Sequence, residues 1–178
     1  MISTRPVRYN VAASLDGFIT DASGGFDWIP NDPAVDFAAI FARVDTVLLG
    51  RRSYEAMQAG GGPTWPPGTR VYVFSRTMQP AEHPEVRIVA ADAAATVAAL
   101  RAEPGDGEIW LFGGSHLFAS LLAAGQVDRV EVTVVPILLG RGTPLVSPSI
   151  AATALTLTDT HRYPSGMVTL SYAVGGLA

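Results

Sequence analysis

At 178 residues, 48% apolar and 16% charged, with a mean hydropathy of +0.28, the chain has the make-up of one folded domain, taken to span 1–178. A chain of this size buries roughly 70% of the surface its unfolded form exposes, so its core needs neither disulfide nor structural metal. It has no Cys and all 12 basic residues are Arg, which excludes thiol nucleophiles, Cys-based zinc sites, lysine Schiff bases and the phosphate-gripping Lys of a P-loop.

The net charge of −4, with acids and arginines interspersed, argues against a nucleic-acid partner held on a general basic surface. No window approaches the about 18 uninterrupted apolar residues of a membrane span. Met1 to Tyr9 has two Arg with no apolar stretch after them, so no membrane partner and a cytoplasmic location are expected.

Val7 to Ala13 reads as a first strand, stopped by the turn Ser14-Leu15-Asp16-Gly17. A Gly-, Asp- and Pro-rich loop follows, and Asn31-Asp32-Pro33 offers a capping residue before a Pro at the first helical position. Phe37, Ile40, Phe41 and Val44 then recur at helical spacing, and Thr46 to Leu49 is a short apolar run typical of a strand buried on both faces. A helix over Ser53 to Ala59 is ended by Gly60-Gly61-Gly62-Pro63. Strands are expected at Val71 to Phe74 and Val86 to Ala90, and Asp92 caps an Ala-rich helix reaching about Ala102. Glu108 to Phe112 is a strand leading into Gly113-Gly114-Ser115 and an amphipathic helix through Leu117, Leu121 and Leu122, closed by Gly125. Beyond Arg129 the βα alternation stops: Val130 to Val135, Leu155 to His161 and Val168 to Val174 read as strands without comparable helices between them. The fold expected is an α/β sandwich of three layers, a mostly parallel central sheet flanked by helices with an antiparallel hairpin added at the C-terminal end.

Three strand ends carry small-residue turns: Gly50-Arg51-Arg52-Ser53, Ser75-Arg76-Thr77 and Gly113-Gly114-Ser115-His116. In open α/β sheets ligands bind beyond the carboxyl ends of the strands, where a helix N-terminus presents free N–H groups to an anion. Glycines let the backbone approach a pyrophosphate, Ser53 and Ser115 offer hydroxyls, and Arg51, Arg52 and Arg76 can bond a further phosphate. The plainer reading is that each Gly ends a strand and each Arg is a solvated charge.

Thr46-Val-Leu-Leu-Gly-Arg-Arg-Ser-Tyr-Glu55, Pro67-Gly68-Thr-Arg-Val-Tyr-Val-Phe-Ser75-Arg76 and Ile109-Trp-Leu-Phe-Gly-Gly-Ser115 resemble the dihydrofolate reductase fold. Ala13-Ser-Leu-Asp-Gly-Phe-Ile19 and Val135-Pro-Ile-Leu-Leu-Gly-Arg-Gly142 are more similar to the bacterial subgroup related to the reductase domain of riboflavin biosynthesis, the RibD C-terminal domain. The resemblance spans Val7 to Tyr172. It implies NADPH, with Gly50 to Ser53 at the adenosine phosphates, Ser75 and Arg76 near the 2′-phosphate, and Gly113 to His116 at the pyrophosphate. It also implies a cis peptide between Gly113 and Gly114, and backbone contacts to the nicotinamide carboxamide at Ala13 and Ile19.

Hydride delivery to a ring also needs a proton, and two carboxylates are candidates. Dihydrofolate reductases carry one on the first helix, and Asp36 matches that place on the flank of the apolar stripe; Asp16 lies in the turn after the first strand. Each has a structural alternative, a charge complementing the helix dipole for Asp36 and a turn residue for Asp16. Trp28 and Phe37 could cover an aromatic substrate, Trp65 could do so or plug the core, and Arg141 could meet a substrate phosphate. His83, His116 and His161 lie in unrelated contexts and no Gly-x-Ser-x-Gly elbow exists, which disfavours a hydrolase.

The function expected is an NADPH-dependent reduction of a pterin or an aminopyrimidine, free or ribosylated; the alternative is a nucleotide- or pterin-binding protein without chemistry. The apolar runs Val130 to Leu139 and Val168 to Val174 exceed what one small sheet must cover, and the related reductase domains pair, so a homodimer is expected.

Overall fold

A computed structural model gives the structure of the protein and describes residues 4–60 and 65–175. In chain order the elements are β1 Val7–Ser14, β2 Phe18–Thr20, α1 Phe37–Ala42, β3 Val44–Gly50, α2 Arg51–Ala59, β4 Arg70–Phe74, β5 Arg87–Val89, α3 Ala93–Ala102, β6 Glu108–Gly113, α4 Ser115–Ala123, β7 Arg129–Val135, β8 Thr143–Pro144, β9 Leu155–Arg162 and β10 Val168–Val174. Eight strands form one sheet in the order β5-β4-β3-β6-β1-β7-β10-β9, while β2 and β8 pair separately. The six strands from β5 to β7 are parallel neighbours; β10 is antiparallel to β7 and β9 to β10. This is the expected three-layer sandwich.

Strand alternation divides the sheet between two cores. Val7 and Tyr9 of β1 join Ile109 and Leu111 of β6 and Val130 and Val132 of β7 in a core with residues of α3 and α4. Tyr9 stacks on Phe118 with ring centroids 4.0 Å apart, and burial pushes its phenol up. The opposite face of β3, β4 and β6 packs under Tyr54 and Met57 of α2. Trp65 proves to be a core plug there, edge-on to Trp110 at 6.0 Å and Phe112 at 5.7 Å, with Phe41 of α1 at 6.0 Å.

The first helix starts later than the Asn31-Asp32-Pro33 signal predicts. Asp36 is its cap, accepting from the Ala39 N–H at 2.8 Å, and residue 44 already belongs to β3. Asp32 instead shapes a turn, accepting from the Ala34 N–H at 2.8 Å. The β2/β8 pair also lay unseen in a stretch read as loop. It is held close by Gly142, where a Cβ would lie 1.9 Å from the Thr20 carbonyl oxygen. The helix α2 is capped at Gly60; the rest of its expected stop signal, Gly61 to Pro63, lies outside the described residues. Among the described residues no helix is long and apolar enough to cross a membrane.

On the α2 face, the middle of the sheet is polar rather than apolar. Arg8, 2% exposed, places Nε 3.1 Å from Glu108 and Nη1 3.3 Å from Glu131, and Asn10 donates to Glu131 Oε1 at 2.7 Å. Arg129 completes the set at 3.2 Å from Glu108. Breaking a buried ion pair from one side leaves the partner charge uncompensated. Arg8→Met, which keeps an apolar stem of similar length, should therefore lower unfolding free energy by about 3–5 kcal/mol in urea denaturation. A loss below about 1 kcal/mol would mean that solvent screens the pair.

Candidate active site

Among the described residues, two of the four α-helices begin immediately after a strand and lack a side-chain cap. Gly50 ends β3 and is the N-cap of α2; Gly114 follows β6 and is the N-cap of α4; neither supplies a capping side chain. By contrast α1 and α3 are capped by Asp36 and Asp92. The first turn of a helix has unpaired N–H groups and a positive partial charge, so α2 and α4 keep their donors free for an anion.

The two ends are in contact. The Gly113–Gly114 peptide is cis, as the family resemblance implied, and Gly113 has φ +147°, a conformation open to glycine. A Cβ on Gly114 would lie 3.1 Å from Ser53 Oγ, and one on Gly50 3.5 Å from the Gly114 nitrogen. Gly50, Ser53, Gly113 and Gly114 thus form one cradle of backbone and hydroxyl groups. The third expected turn differs. Ser75 leads to a short 3-10 turn, Pro80–Glu82, rather than to an α-helix, and its hydroxyl accepts from the N–H groups of Thr77 at 3.2 Å and Met78 at 3.1 Å.

Ser53 and Gly113 also line a cavity of about 630 Å³, within the range of small-ligand sites. Its walls are apolar, from Phe26 and Ile29 of the strap between β2 and α1, Ile40 of α1 and Met57 of α2. Its floor is the polar middle of the sheet, with Asn10, Glu131, Thr133 and Thr169. The two threonines are cross-strand partners on β7 and β10, their hydroxyls 2.7 Å apart.

The strap is pinned over this floor by Asp32. While Oδ1 takes the Ala34 N–H, Oδ2 accepts from the Ser165 N–H at 3.0 Å in the β9–β10 turn. Bonds from Ser165, then from Ala34, hold its carboxyl below the ordinary value despite burial of the residue. Asp32 is therefore an acceptor at neutral pH and not a proton donor.

Of the sequence candidates, Ile19 and Phe37 line the cavity, Phe37 at its rim and 53% exposed. Ala13 is buried at the end of β1. Asp36 is exposed and outside the lining, its carboxylate engaged as the helix cap. The expectation that it faces the pocket assumed a helix beginning near residue 33; a start at Phe37 moves it to the helix end. Asp16 is likewise exposed, accepting from Ser14 Oγ at 2.6 Å and from the Leu139 and Gly140 N–H groups at 3.1 and 2.7 Å. These bonds, the Ser14 hydroxyl foremost, keep its carboxyl low and tie the 136–142 loop to the β1–β2 turn. Trp28 donates to the Gly25 carbonyl at 3.2 Å, and its neighbours Asp27 and Ile29 reach the cavity instead. Arg141 is exposed and away from the lining. Arg51 pairs with Glu55 at 3.1 Å on the surface, Arg52 and Arg76 are exposed without an ion pair among the described residues, Ser115 is buried at the start of α4, and His116 Nδ1 sits 3.5 Å from Ser147 Oγ. Among the described residues no group of three or more His, Asp or Glu could hold a metal.

The sequence reading missed Asn10, Asp32, Glu131, Thr133 and Thr169. Their signal was the alternation of polar with apolar residues along β1 and β7, where a strand read only as an apolar run hides its second face.

The RibD C-terminal domain family matches residues 5–169. The chain belongs to that family. The Bacillus subtilis protein YyaP, uncharacterized, is 28% identical over 98% of each chain. A crystal structure from Shewanella sp. PV-4, of a protein provisionally assigned to riboflavin biosynthesis, is 27% identical and superposes with a TM-score of 0.81, covering 96% of this chain and 99% of that one. Dihydrofolate reductase from Enterococcus faecalis, solved with NADP(H), is 20% identical with a TM-score of 0.65, covering 96% and 97%, and shares the fold. Within this fold the cradle lies at the carboxyl ends of β3 and β6, and the cavity floor on one face of the neighbouring β1, β7 and β10 of the same sheet.

The strap tie makes a pH prediction. A carboxyl lowered by folding contributes stability that is present above its unfolded pKa, about 4, and lost as pH falls through the folded value. Asp32→Asn should be less stable than the wild type at pH 7, and the gap should narrow between pH 5 and pH 3, read as urea midpoints at each pH. A gap that stays constant across this range would remove the charge from the explanation.

Proposed function

We propose that the protein is an NADPH-dependent reductase of a small nitrogen heterocycle of pyrimidine or pterin type. The observation that carries this is the pair of uncapped helix ends meeting at Gly50, Gly113 and Gly114 at the mouth of an apolar cavity with a polar floor. Family membership supports it, as does the fold shared with a dihydrofolate reductase that was solved with NADP(H).

The residues fit a dinucleotide. The free N–H groups of α2 and α4 suit a pyrophosphate, the missing Cβ atoms leave the approach open, and Ser53 and Ser115 add hydroxyls. Arg52 and Arg76, exposed beside the strand ends, are free for a further phosphate; Arg51 is partly engaged by Glu55, a surface pair worth little. Ser75 shapes the turn that presents Arg76, His116 lies on the first turn of α4, and Ile19 lines the cavity, whereas Ala13 is buried at the end of β1 and would meet a nicotinamide only through its backbone. When bound, the nicotinamide supplies the hydride. Phe26, Ile29, Ile40 and Met57 would exclude water from a ring lying over the floor, and Asn10, Glu131 and the Thr133–Thr169 pair would orient it. In this reading Asp36 and Asp16 serve as helix cap and loop tie. Such an enzyme draws on the cytoplasmic NADPH pool.

We also propose a homodimer, on different grounds from those the sequence suggested. Val130, Val132 and Val135 are buried within the sheet, so the strand part of that apolar run is used inside one chain, although Leu138 beyond it is exposed. The stronger ground is β9, an eight-residue edge strand with Leu155 and Leu157 exposed on one face. Sedimentation at micromolar concentration should show a dimer, and Leu157→Glu should shift it to monomer. A wild-type monomer under these conditions would end the idea.

The reductase reading is tested by fluorescence titration and by absorbance at 340 nm. NADPH should bind at least about tenfold more tightly than NADH, and Arg52→Ala with Arg76→Ala should erase the preference, since charge-assisted bonds contribute about 1.5–3 kcal/mol each. NADPH should then be oxidised on addition of a member of a pterin and aminopyrimidine panel. Tight NADPH binding without oxidation by any panel member would favour the non-catalytic binder, and no binding would refute both.

A further inference from the structure

The far end of the cavity has a one-sided chemistry. Among its described lining residues there is no Lys, Arg or His, whereas Asp27, Asp32 and Glu131 are all present. Arg8 reaches Glu131 but is buried and shared with Glu108. A phosphate placed here would meet carboxylates with no free cation, and burying an unpaired anion is costly. Phosphate-binding character is confined to the cradle at the other end.

The three acids are not equivalent. Both oxygens of Asp32 are taken by the backbone N–H groups of Ala34 and Ser165, and Asp27 lies on the exposed part of the strap. Glu131 projects from β7 into the floor. Its Oε1 accepts from Asn10 at 2.7 Å and Arg8 at 3.3 Å, while Oε2 has only longer contacts, at 3.4 Å to Arg8 and 3.4 Å to Ser171 Oγ. Both Oε2 contacts are longer than the about 2.7–3.2 Å of a good N–H···O bond, so Oε2 is the oxygen that can exchange a weak partner for a ligand N–H at the cavity. Two residues along the strand, the Thr133–Thr169 pair can share only one of its two hydroxyl hydrogens internally, which leaves the other to meet a ring acceptor. Together they form an acceptor beside a donor-acceptor hydroxyl, the complement of a ring edge with amino N–H groups next to a ring nitrogen.

We propose that Glu131 is the specificity-determining residue of the cavity, and that it selects an unphosphorylated ring substrate presenting an amino or amidine N–H edge. This rests on reading the cavity as the substrate end of a reductase cleft. It sets the chain apart from a reductase that grips a phosphorylated sugar, because the described lining of this cavity supplies no cation to hold one.

The test is equilibrium binding by calorimetry, with and without NADP⁺, using four probes: 2,4-diaminopteridine; lumazine, whose carbonyls replace the amino groups; cytidine; and cytidine 5′-monophosphate. The wild type should bind diaminopteridine at least tenfold more tightly than lumazine, and the monophosphate no more tightly than cytidine. Glu131→Gln, which keeps the size and one acceptor but turns an N–H donor toward the ligand, should lose at least tenfold for diaminopteridine with NADPH affinity unchanged. Should that variant fail to fold for want of the Arg8 pair, the wild-type comparisons decide alone. With NADP⁺ filling the cradle, a monophosphate binding tenfold tighter than cytidine, or a Glu131→Gln protein binding diaminopteridine as well as the wild type, would overturn the proposal. Glu131-dependent diaminopteridine binding by a protein with no affinity for NADPH would uphold it and overturn the reductase reading instead.

Discussion

The direct passage from strand to helix at Gly50 and at Gly113–Gly114 is the constraint on which the remaining site geometry depends. With no intervening loop, the first turns of α2 and α4 are fixed by the sheet itself, and their donors point beyond the strand ends rather than into solvent at random. A Cβ on Gly114 would lie 3.1 Å from Ser53 Oγ, so a side chain there would push the Ser53 hydroxyl out of the cradle. The cost is local, since uncapped ends give up the about 1 kcal/mol that a Ser or Asp cap contributes. The chain spends such caps elsewhere, at Asp36 and Asp92.

The second dependence is on strand alternation. A central parallel strand with helices on both sides is normally apolar on both faces, and β3 obeys this rule. β1 and β7 do not: Tyr9, Val130 and Val132 complete the core under α3 and α4, while Asn10, Glu131 and Thr133 turn a polar row to the other side. Among the described residues no helix covers that row. The short α1 and the strap arch beside it, pinned through Asp32 to the β9–β10 turn, so the polar residues become a floor rather than a defect in the core.

This explains what was legible in the sequence and what was not. The βα alternation, the C-terminal hairpin and the Gly50 and Gly113–Gly114 turns are local signals, written within a few residues of one another, and they appear where the sequence puts them. Asp36 and Asp32 were exchanged because both are plausible caps in sequence. The choice falls to Ser165, which is 133 residues from Asp32 and recruits it to the hairpin. The same long range hides Asp16, whose carboxylate serves Leu139 and Gly140. The floor was missed for a different reason. A polar residue between valines on a strand gives no sign, by itself, of whether its face meets water, a helix or a cavity.

The carboxylates, taken together, show how an acidic chain can still hold an anionic ligand. Asp16, Asp21 and Asp32 accept from backbone or hydroxyl donors in loops, and Asp36 and Asp92 cap α1 and α3. Their charges therefore shape loops and cap other helices, while the ends of α2 and α4 carry no carboxylate cap. At those ends the field comes from aligned peptide dipoles, strong within about one helical turn and weak beyond it. Glu131 lies across the cavity on β7, where the field has the opposite sign. A cleft with backbone donors at one end and a carboxylate at the other orients an elongated ligand pair by polarity alone: phosphates toward the glycines, and a donor-rich ring toward the sheet.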